Sequence, residues 1–158
     1  MSAPLDDLRS SFKGDLVVPS DSDYPAAIAR WAINAERPAK VVAFVKDAED
    51  VALAIKYAKE QNIPLAIRSG GHSASGGELP LDLIWSHDSQ VHEASSSDGG
   101  LVIDLSRYLN GVKVDAEKKL AYVDGGALWE TVDKAAIKHG LATVAGTVNH
   151  VRCLLSRG

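Results

Sequence analysis

At 158 residues, 46% of them hydrophobic, the chain can bury a core and suits one domain or one lobe of a larger protein. A net charge of −4 with intermixed signs offers no basic face to a phosphate backbone, which argues against nucleic acid as a partner, and the single cysteine, Cys153, excludes an internal disulfide. The opening MSAPLDDLRSSFKGD lacks the apolar run of a secretory signal, and no stretch approaches the ~18 apolar residues of a membrane span, so a soluble, cytoplasmic protein is expected, with no membrane partner.

In chain order, Asp15–Val18 reads as a strand and Tyr24–Ala32 as an amphipathic helix. Val41–Val45 is a β-branched and aromatic run, a second strand. Over Ala48–Asn62 apolar residues recur at helical spacing on Val51, Ala54, Ile55 and Ala58, with Asp47 placed to cap and Asp50 adding negative charge to the first turn. Pro64 stops that helix, and Leu65–Ile67 resumes as a strand. Strand, helix, strand predicts a right-handed crossover joining a parallel pair. Further on, Leu101–Leu105, Gly111–Asp115 and Leu120–Val123 are short strands, the last two flanking the turn-like AEKK as a hairpin does. Gly125-Gly126 leads into a helix over about 127–138, which Gly140 ends. Trp31 and Trp129 fall on the amphipathic helices and are expected in the core. The elements predict an α+β domain of two small lobes.

A glycine loop marks the junction of those lobes. The segment AIRSGGHSASG, Ala66 to Gly76, sets three glycines, three serines and a histidine at the exit of an apolar strand. Glycines allow positive φ and close backbone approach, and successive N–H groups form a concave anion site suited to a pyrophosphate. The loop is neither a Walker loop, lacking Gly-Lys-Ser/Thr, nor GxGxxG opening a helix. Phosphate binding alone gives no reason for His72, whereas a nucleophilic ring nitrogen would permit a covalent bond to a cofactor. A lone histidine is more often a surface or satisfied core residue, and His87, His92 and His139 have no comparable surroundings. A zinc site from His72, His87 and His92 has spacing unlike known clusters, so no metal is expected.

Arg68-Ser-Gly-Gly-His72-Ser73 resembles the flavin-attachment motif of FAD-linked oxidases of the vanillyl-alcohol oxidase type, which share the FAD-binding domain of p-cresol methylhydroxylase (PCMH) and include the berberine-bridge and oligosaccharide oxidases. The likeness continues in order through Pro38–Val45 and its helix, LVIDLSRYLNGVKVDAEKKLAYVDGGALWETVD and HGLATVAGTVNHV, covering most of 15–77 and 94–151. It implies a PCMH-type fold of two small α/β lobes, FAD as cofactor, and a small-molecule substrate in complete relatives. It also implies that His72 bonds the 8α-methyl carbon of the flavin while Arg68, Ser69, Gly70, Gly71, Ser73 and Gly76 form the loop around the pyrophosphate. Gly125 and Gly126 would lie near the phosphates, and Gly146, Thr147 and His150 would belong to a second flavin-contacting loop. Some relatives add a cysteine thioether; Val148 stands at that place here, so attachment would be single and Cys153 is not a second anchor.

Two stretches depart from the family pattern. Residues 78–93 read as an insertion, an exposed excursion with Trp85 as its largest anchor, and 152–158 read as a non-family tail closing a partial domain over 1–151. Gly77-Glu78 and Val151-Arg152 are each encodable as the start of an intron, so read-through would account for both. The second lobe is then incomplete and no substrate domain or catalytic base is assignable. The expectation is an N-terminal flavoprotein fragment that is inactive alone; the alternative is a non-catalytic flavin- or nucleotide-binding module or an inactive truncated product.

Overall fold

The computed structural model describes residues 3–72, 95–144, 146 and 148–152. The expected excursion at 78–93 lies outside them, as do Ser73, Gly76, Thr147, Cys153, His87 and His92. The chain begins with a helix not anticipated from its pattern, α1 (Ala3–Ser11), whose Leu8 is buried with Leu5 and Phe12 packed beside it. Next come β1 (Asp15–Val17), α2 (Tyr24–Ile28), a 3-10 turn (Ile33–Ala35), β2 (Val41–Phe44), α3 (Ala48–Glu60), β3 (Leu65–Arg68) and β4 (Leu101–Asp104). They are followed by β5 (Val112–Asp115), β6 (Leu120–Val123) and α4 (Trp129–Ile137).

The first four strands form one sheet in the order β1-β2-β4-β3, with β1 antiparallel to β2 and the other pairs parallel. The expected parallel β2–β3 pair is corrected here. The two strands do run parallel, but β4 lies between them, Leu101 pairing with both Val41 and Leu65. Burial explains the order: Leu101, Val102 and Ile103 are at most 1% exposed, so this continuous apolar run is covered on both faces and takes the centre of the sheet. Side chains along β2 then alternate between two cores. Val41, Ala43 and Val45 pack with Leu8, Ala54, Tyr57 and Ile103 beneath α1 and α3. Val42 and Phe44 pack with Val17, Ala27, Ala66 and Val102 on the α2 side.

The start of α3 is fastened as expected and then further. Asp47 accepts from the N–H groups of Glu49 and Asp50, both at 3.0 Å. Asp50, fully buried, accepts from the backbone N–H of Lys13 and of Lys46, each at 2.9 Å, which pins the approach to β1 and the exit of β2 to one carboxylate.

Helix α2 is shorter than its pattern. It ends at Ile28 because Ala29 is extended, and Arg30 Nη1 donates to the carbonyls of Ala27, Ile28 and Ala29, satisfying helix-end acceptors without another turn. Trp31 consequently lies outside the helix and is 77% exposed, against the expected core position. Trp129 is half-buried at the first turn of α4.

The hairpin forms as its sequence pattern requires, Val112 opposite Val123 and Asp115 opposite Leu120, with Lys119 at positive φ in the turn and Asp115 accepting from Lys118 N–H. Helix α4 packs against both of its strands, burying Val132 and Ala136. Gly140, at φ +66°, follows the helix. The whole is an α+β arrangement, a four-stranded sheet between helices and a hairpin with its own helix.

Candidate functional site

The glycine loop leaves the carboxyl end of β3, the end of a parallel sheet at which ligands ordinarily bind. Register places Arg68 beside Asp104 of β4. Arg68 Nη1 donates to Asp104 Oδ2 at 3.0 Å and to the Ala27 carbonyl at 3.0 Å, and Asp104, fully buried, accepts from Ser106 N–H at 2.7 Å. One carboxylate therefore holds both the root of the glycine loop and the turn after β4. Leu105 N–H adds a bond to the Arg68 carbonyl at 2.9 Å. Arg68 Nε is buried and has no partner among the described residues, a donor held ready beneath the loop.

Each loop residue then has a definite task. Ser69 is buried, and its hydroxyl donates to the Gly125 carbonyl, joining the loop to the second glycine pair. At Gly70 a Cβ would stand 2.4 Å from His72 Cδ2 and 2.5 Å from Nε2, so the imidazole rests where any other residue would project. Gly71 has φ +66° and, were it to carry a Cβ, would meet Arg68 Nε at 3.1 Å and Arg30 Cδ at 3.2 Å. The glycines are thus required by contact as well as by backbone freedom.

His72 itself is exposed, yet lost hydration first, and then the neighbouring His150, Arg152 and Arg68, hold its pKa below the ordinary imidazole value. The lowered pKa favours the neutral ring, the form in which an imidazole nitrogen can act as a nucleophile.

The other expected residues converge from the far side. Gly126 lies so close to the chain after β4 that a Cβ would be 2.2 Å from the Leu105 carbonyl oxygen, and its N–H donates to Leu109 at 2.8 Å. The stretch ending in Arg152 returns along the start of α4: Trp129 N–H donates to the Val151 carbonyl at 3.1 Å and Glu130 N–H to Asn149 at 2.7 Å. Gly146 packs on the Trp129 indole, a Cβ there reaching Nε1 at 3.0 Å. His150 is exposed and near enough to His72 to affect its proton affinity. Ser73, Gly76 and Thr147 fall outside the described residues.

Three residues that the sequence reading did not single out complete the site. Arg30, 8% exposed, donates through Nε to the Ser95 carbonyl at 2.9 Å, and burial lowers its pKa to about 10. Asp104 is the buried counter-charge described above. Arg152 donates to the carbonyls of Gly126 and Ser106, and its pKa is lowered chiefly by burial. A charged residue ending the buried run Leu-Val-Ile was the available signal for Asp104. Arginines that act through tertiary contacts carry no such local mark.

Arg30, Arg68 and Arg152 all lie within electrostatic reach of one another or of Asp104, and Glu36 adds one further negative charge near Arg30. Among the described residues the balance is positive, beneath a loop of glycines, and Arg68 Nε is buried there without a partner. That chemistry suits a phosphate-bearing ligand. Among the described residues no cluster of His, Cys, Asp and Glu could hold a metal ion, and no helix is long and apolar enough to cross a membrane.

The family model described as FAD binding domain matches residues 39–152. The chain belongs to that family. Its cofactor is FAD, and the donor set just described fits the group. Among curated relatives, (R)-6-hydroxynicotine oxidase of Paenarthrobacter nicotinovorans is 31% identical over 137 residues, 86% of this chain and 26% of the relative. The FAD-linked oxidoreductase hasG of Aspergillus fumigatus is 33% identical over 151 residues, 95% of this chain and 28% of that protein. The solved structure of 6-hydroxy-D-nicotine oxidase from Arthrobacter nicotinovorans superposes with a TM-score of 0.75 at 29% identity, over 90% of this chain and 27% of that one. A chitooligosaccharide oxidase shares the fold, with a TM-score of 0.73 at 19% identity over 95% of this chain and 28% of that one. The chain thus spans about a quarter of the length of the relatives it matches. The α+β fold and the FAD-linked oxidoreductase family expected from the Arg68–Ser73 motif both stand.

Proposed function

We propose that this chain is the flavin lobe of an FAD-dependent oxidoreductase and binds FAD covalently through His72. The observation that carries the reading is the seat of His72: its ring lies over Gly70, which has no side chain to displace it, and its surroundings favour the neutral, nucleophilic form. The backbone amides around Ser69, Gly70, Gly71, Ser73 and Gly76 hold the pyrophosphate, with Arg68 supplying positive charge from below. Gly125 and Gly126 let the neighbouring chain approach the same phosphates. Gly146, Thr147 and His150 form the second flavin-contacting loop, with Val148 making no covalent bond. Residues 1–151 constitute the domain, 78–93 an insertion within it and 152–158 a tail, of which Arg152 still falls within the family match.

His72 would hold the flavin by a bond from a ring nitrogen to its 8α-methyl carbon: the imidazole would give up its N–H proton and the methyl one proton, and the electron pair released would require a two-electron oxidant such as dioxygen, which would leave as hydrogen peroxide. When bound, FAD supplies a two-electron acceptor for a carbon–hydrogen bond of an alcohol or amine substrate, the reaction class proposed for the whole protein. The part played by this chain is to hold, orient and charge-balance the cofactor.

The test is a visible spectrum of the chain after acid precipitation. Flavin absorbance in the pellet, lost in His72→Ala, is the expected result. Flavin that stays in the pellet of the variant, or never enters the pellet of the unsubstituted chain loaded with FAD, overturns the assignment.

A further inference from the structure

Trp31 is an unusual residue to leave in water. Its indole is 77% exposed and Ile33 beside it 83%, although the backbone at this point is firmly held. Trp31 N–H donates to the Gly71 carbonyl at 3.2 Å, one residue before His72. The preceding residue, Arg30, is buried, bonded to Ala27, Ile28, Ala29 and Ser95, and lies with Cδ 3.2 Å from the Cβ position of Gly71. Adjacent side chains therefore divide the loop between them: Arg30 supports it from within, and Trp31 stands outside, anchored to it through the backbone. A large exposed apolar ring whose backbone is bonded to a glycine loop with arginines beneath it matches a ligand that joins aromatic rings through an anionic linker. FAD is such a ligand. Ile33 is more exposed but has no bond to the loop among the described residues, and an aliphatic side chain lacks a π-face.

We propose that Trp31 is a cofactor-contacting residue whose indole packs against the isoalloxazine of FAD, the ring system nearest the His72 end of the loop. This rests on the reading that FAD is seated at the glycine loop. Aromatic stacking of this kind changes affinity by roughly tenfold to a hundredfold.

The experiment uses the full chain in a His72→Ala background, where FAD binds reversibly, and compares it with His72→Ala/Trp31→Ala and His72→Ala/Trp31→Phe. Dissociation constants and the emission of bound flavin are read by titration, with far-UV circular dichroism checking the fold, which an exposed side chain does not support. The expected result is at least a tenfold rise in Kd with brighter flavin emission for Trp31→Ala, and near-complete rescue by Trp31→Phe. Equal Kd and equal emission with and without Trp31 overturn the proposal and assign the ring to another occupant, such as a segment of the longer relatives, while leaving the FAD site intact. If His72→Ala abolishes reversible binding, flavin emission is compared on covalently loaded Trp31→Ala and unsubstituted chain, and unchanged quenching is the refuting result. Failure of the unsubstituted chain to bind FAD at all overturns the site assignment itself, and this proposal with it.

Discussion

Asp104→Ala should be among the most damaging single substitutions in the described structure. The carboxylate is fully buried, accepts from Arg68 Nη1 at 3.0 Å and from Ser106 N–H at 2.7 Å, and is the counter-charge closest to a group of arginines. Its removal leaves the Arg68 guanidinium, only 17% exposed, without its ion-pair partner, and leaves the Ser106 N–H without an acceptor. Breaking a buried pair on one side destabilises by about 3–5 kcal/mol. Two hydrogen bonds to a charged group, at about 1.5–3 kcal/mol each, give about 3–6 kcal/mol, an overlapping range. For a domain stable by about 5–15 kcal/mol that is a large fraction of the total. Urea denaturation followed by circular dichroism supplies the difference. Asp104→Asn, which keeps an acceptor for Ser106 N–H and loses only the charge, should fall between the two. Because the turn after β4 and the root of the glycine loop share this carboxylate, FAD retention should drop in parallel. A loss below about 1 kcal/mol for Asp104→Ala, with FAD retained, would refute the view that one buried charge organises the site.

Gly70→Ala places a methyl group 2.4 Å from His72 Cδ2, so the ring must move; covalent flavin in the acid pellet should fall severalfold or vanish while the circular dichroism spectrum is unchanged. Gly126→Ala meets the Leu105 carbonyl at 2.2 Å, a backbone atom that cannot swing aside, and should destabilise by about 1–3 kcal/mol in urea, with a neutral outcome counting against the packing described. Attachment should depend on pH through His72: its pKa is lowered, so the nucleophilic form is already complete at neutral pH, and the rate should fall only in acid with a midpoint below 6.5. The same shift has a stability sign. Below 6.5 the unfolded chain takes up the proton first, so this contribution is present above that pH and is lost as pH falls through the folded value. A midpoint above 6.5 in the attachment rate contradicts it.

Much of this was legible in the sequence because it rests on local rules. The period of 3.6 over Val51, Ala54, Ile55 and Ala58, the cap at Asp47 and the stop at Pro64 define α3, and the hairpin follows from two short apolar runs around a polar turn. The glycine loop was legible for a different reason: a cluster of glycines and serines around a histidine follows neither the helical nor the strand period. What was missed depends on partners distant in sequence. Periodicity identifies a strand but not its neighbours: the unbroken apolar run Leu101–Ile103 suits a strand covered on both faces, but it does not say that β2 and β3 are the strands on either side. Helix α2 stops early because a guanidinium supplies donors to its last carbonyls, a side-chain to backbone competition invisible to a hydrophobic pattern. With the helix ended there, Trp31 leaves the buried face that its spacing had implied.

The residues with no local mark in the sequence and the candidate site share one physical origin. Arg30 ends α2 and touches the glycine loop, Asp104 ends β4 and holds Arg68, and Arg152 bonds the turn after β4 and the second glycine pair. Each is a charged group removed from water, tolerable only because backbone carbonyls or an opposite charge surround it. Those carbonyls and charges belong to the segments that must meet for a phosphate-bearing cofactor to be held. Desolvated charge therefore does two things at once here: it closes the carboxyl end of the sheet, and it leaves a positive balance with an unpaired donor beneath the loop. An apolar replacement of the whole set could preserve the first effect but not the second, which is why the stability of this region and its affinity for FAD should separate under combined substitution of Arg68 and Asp104 by a size-matched apolar pair.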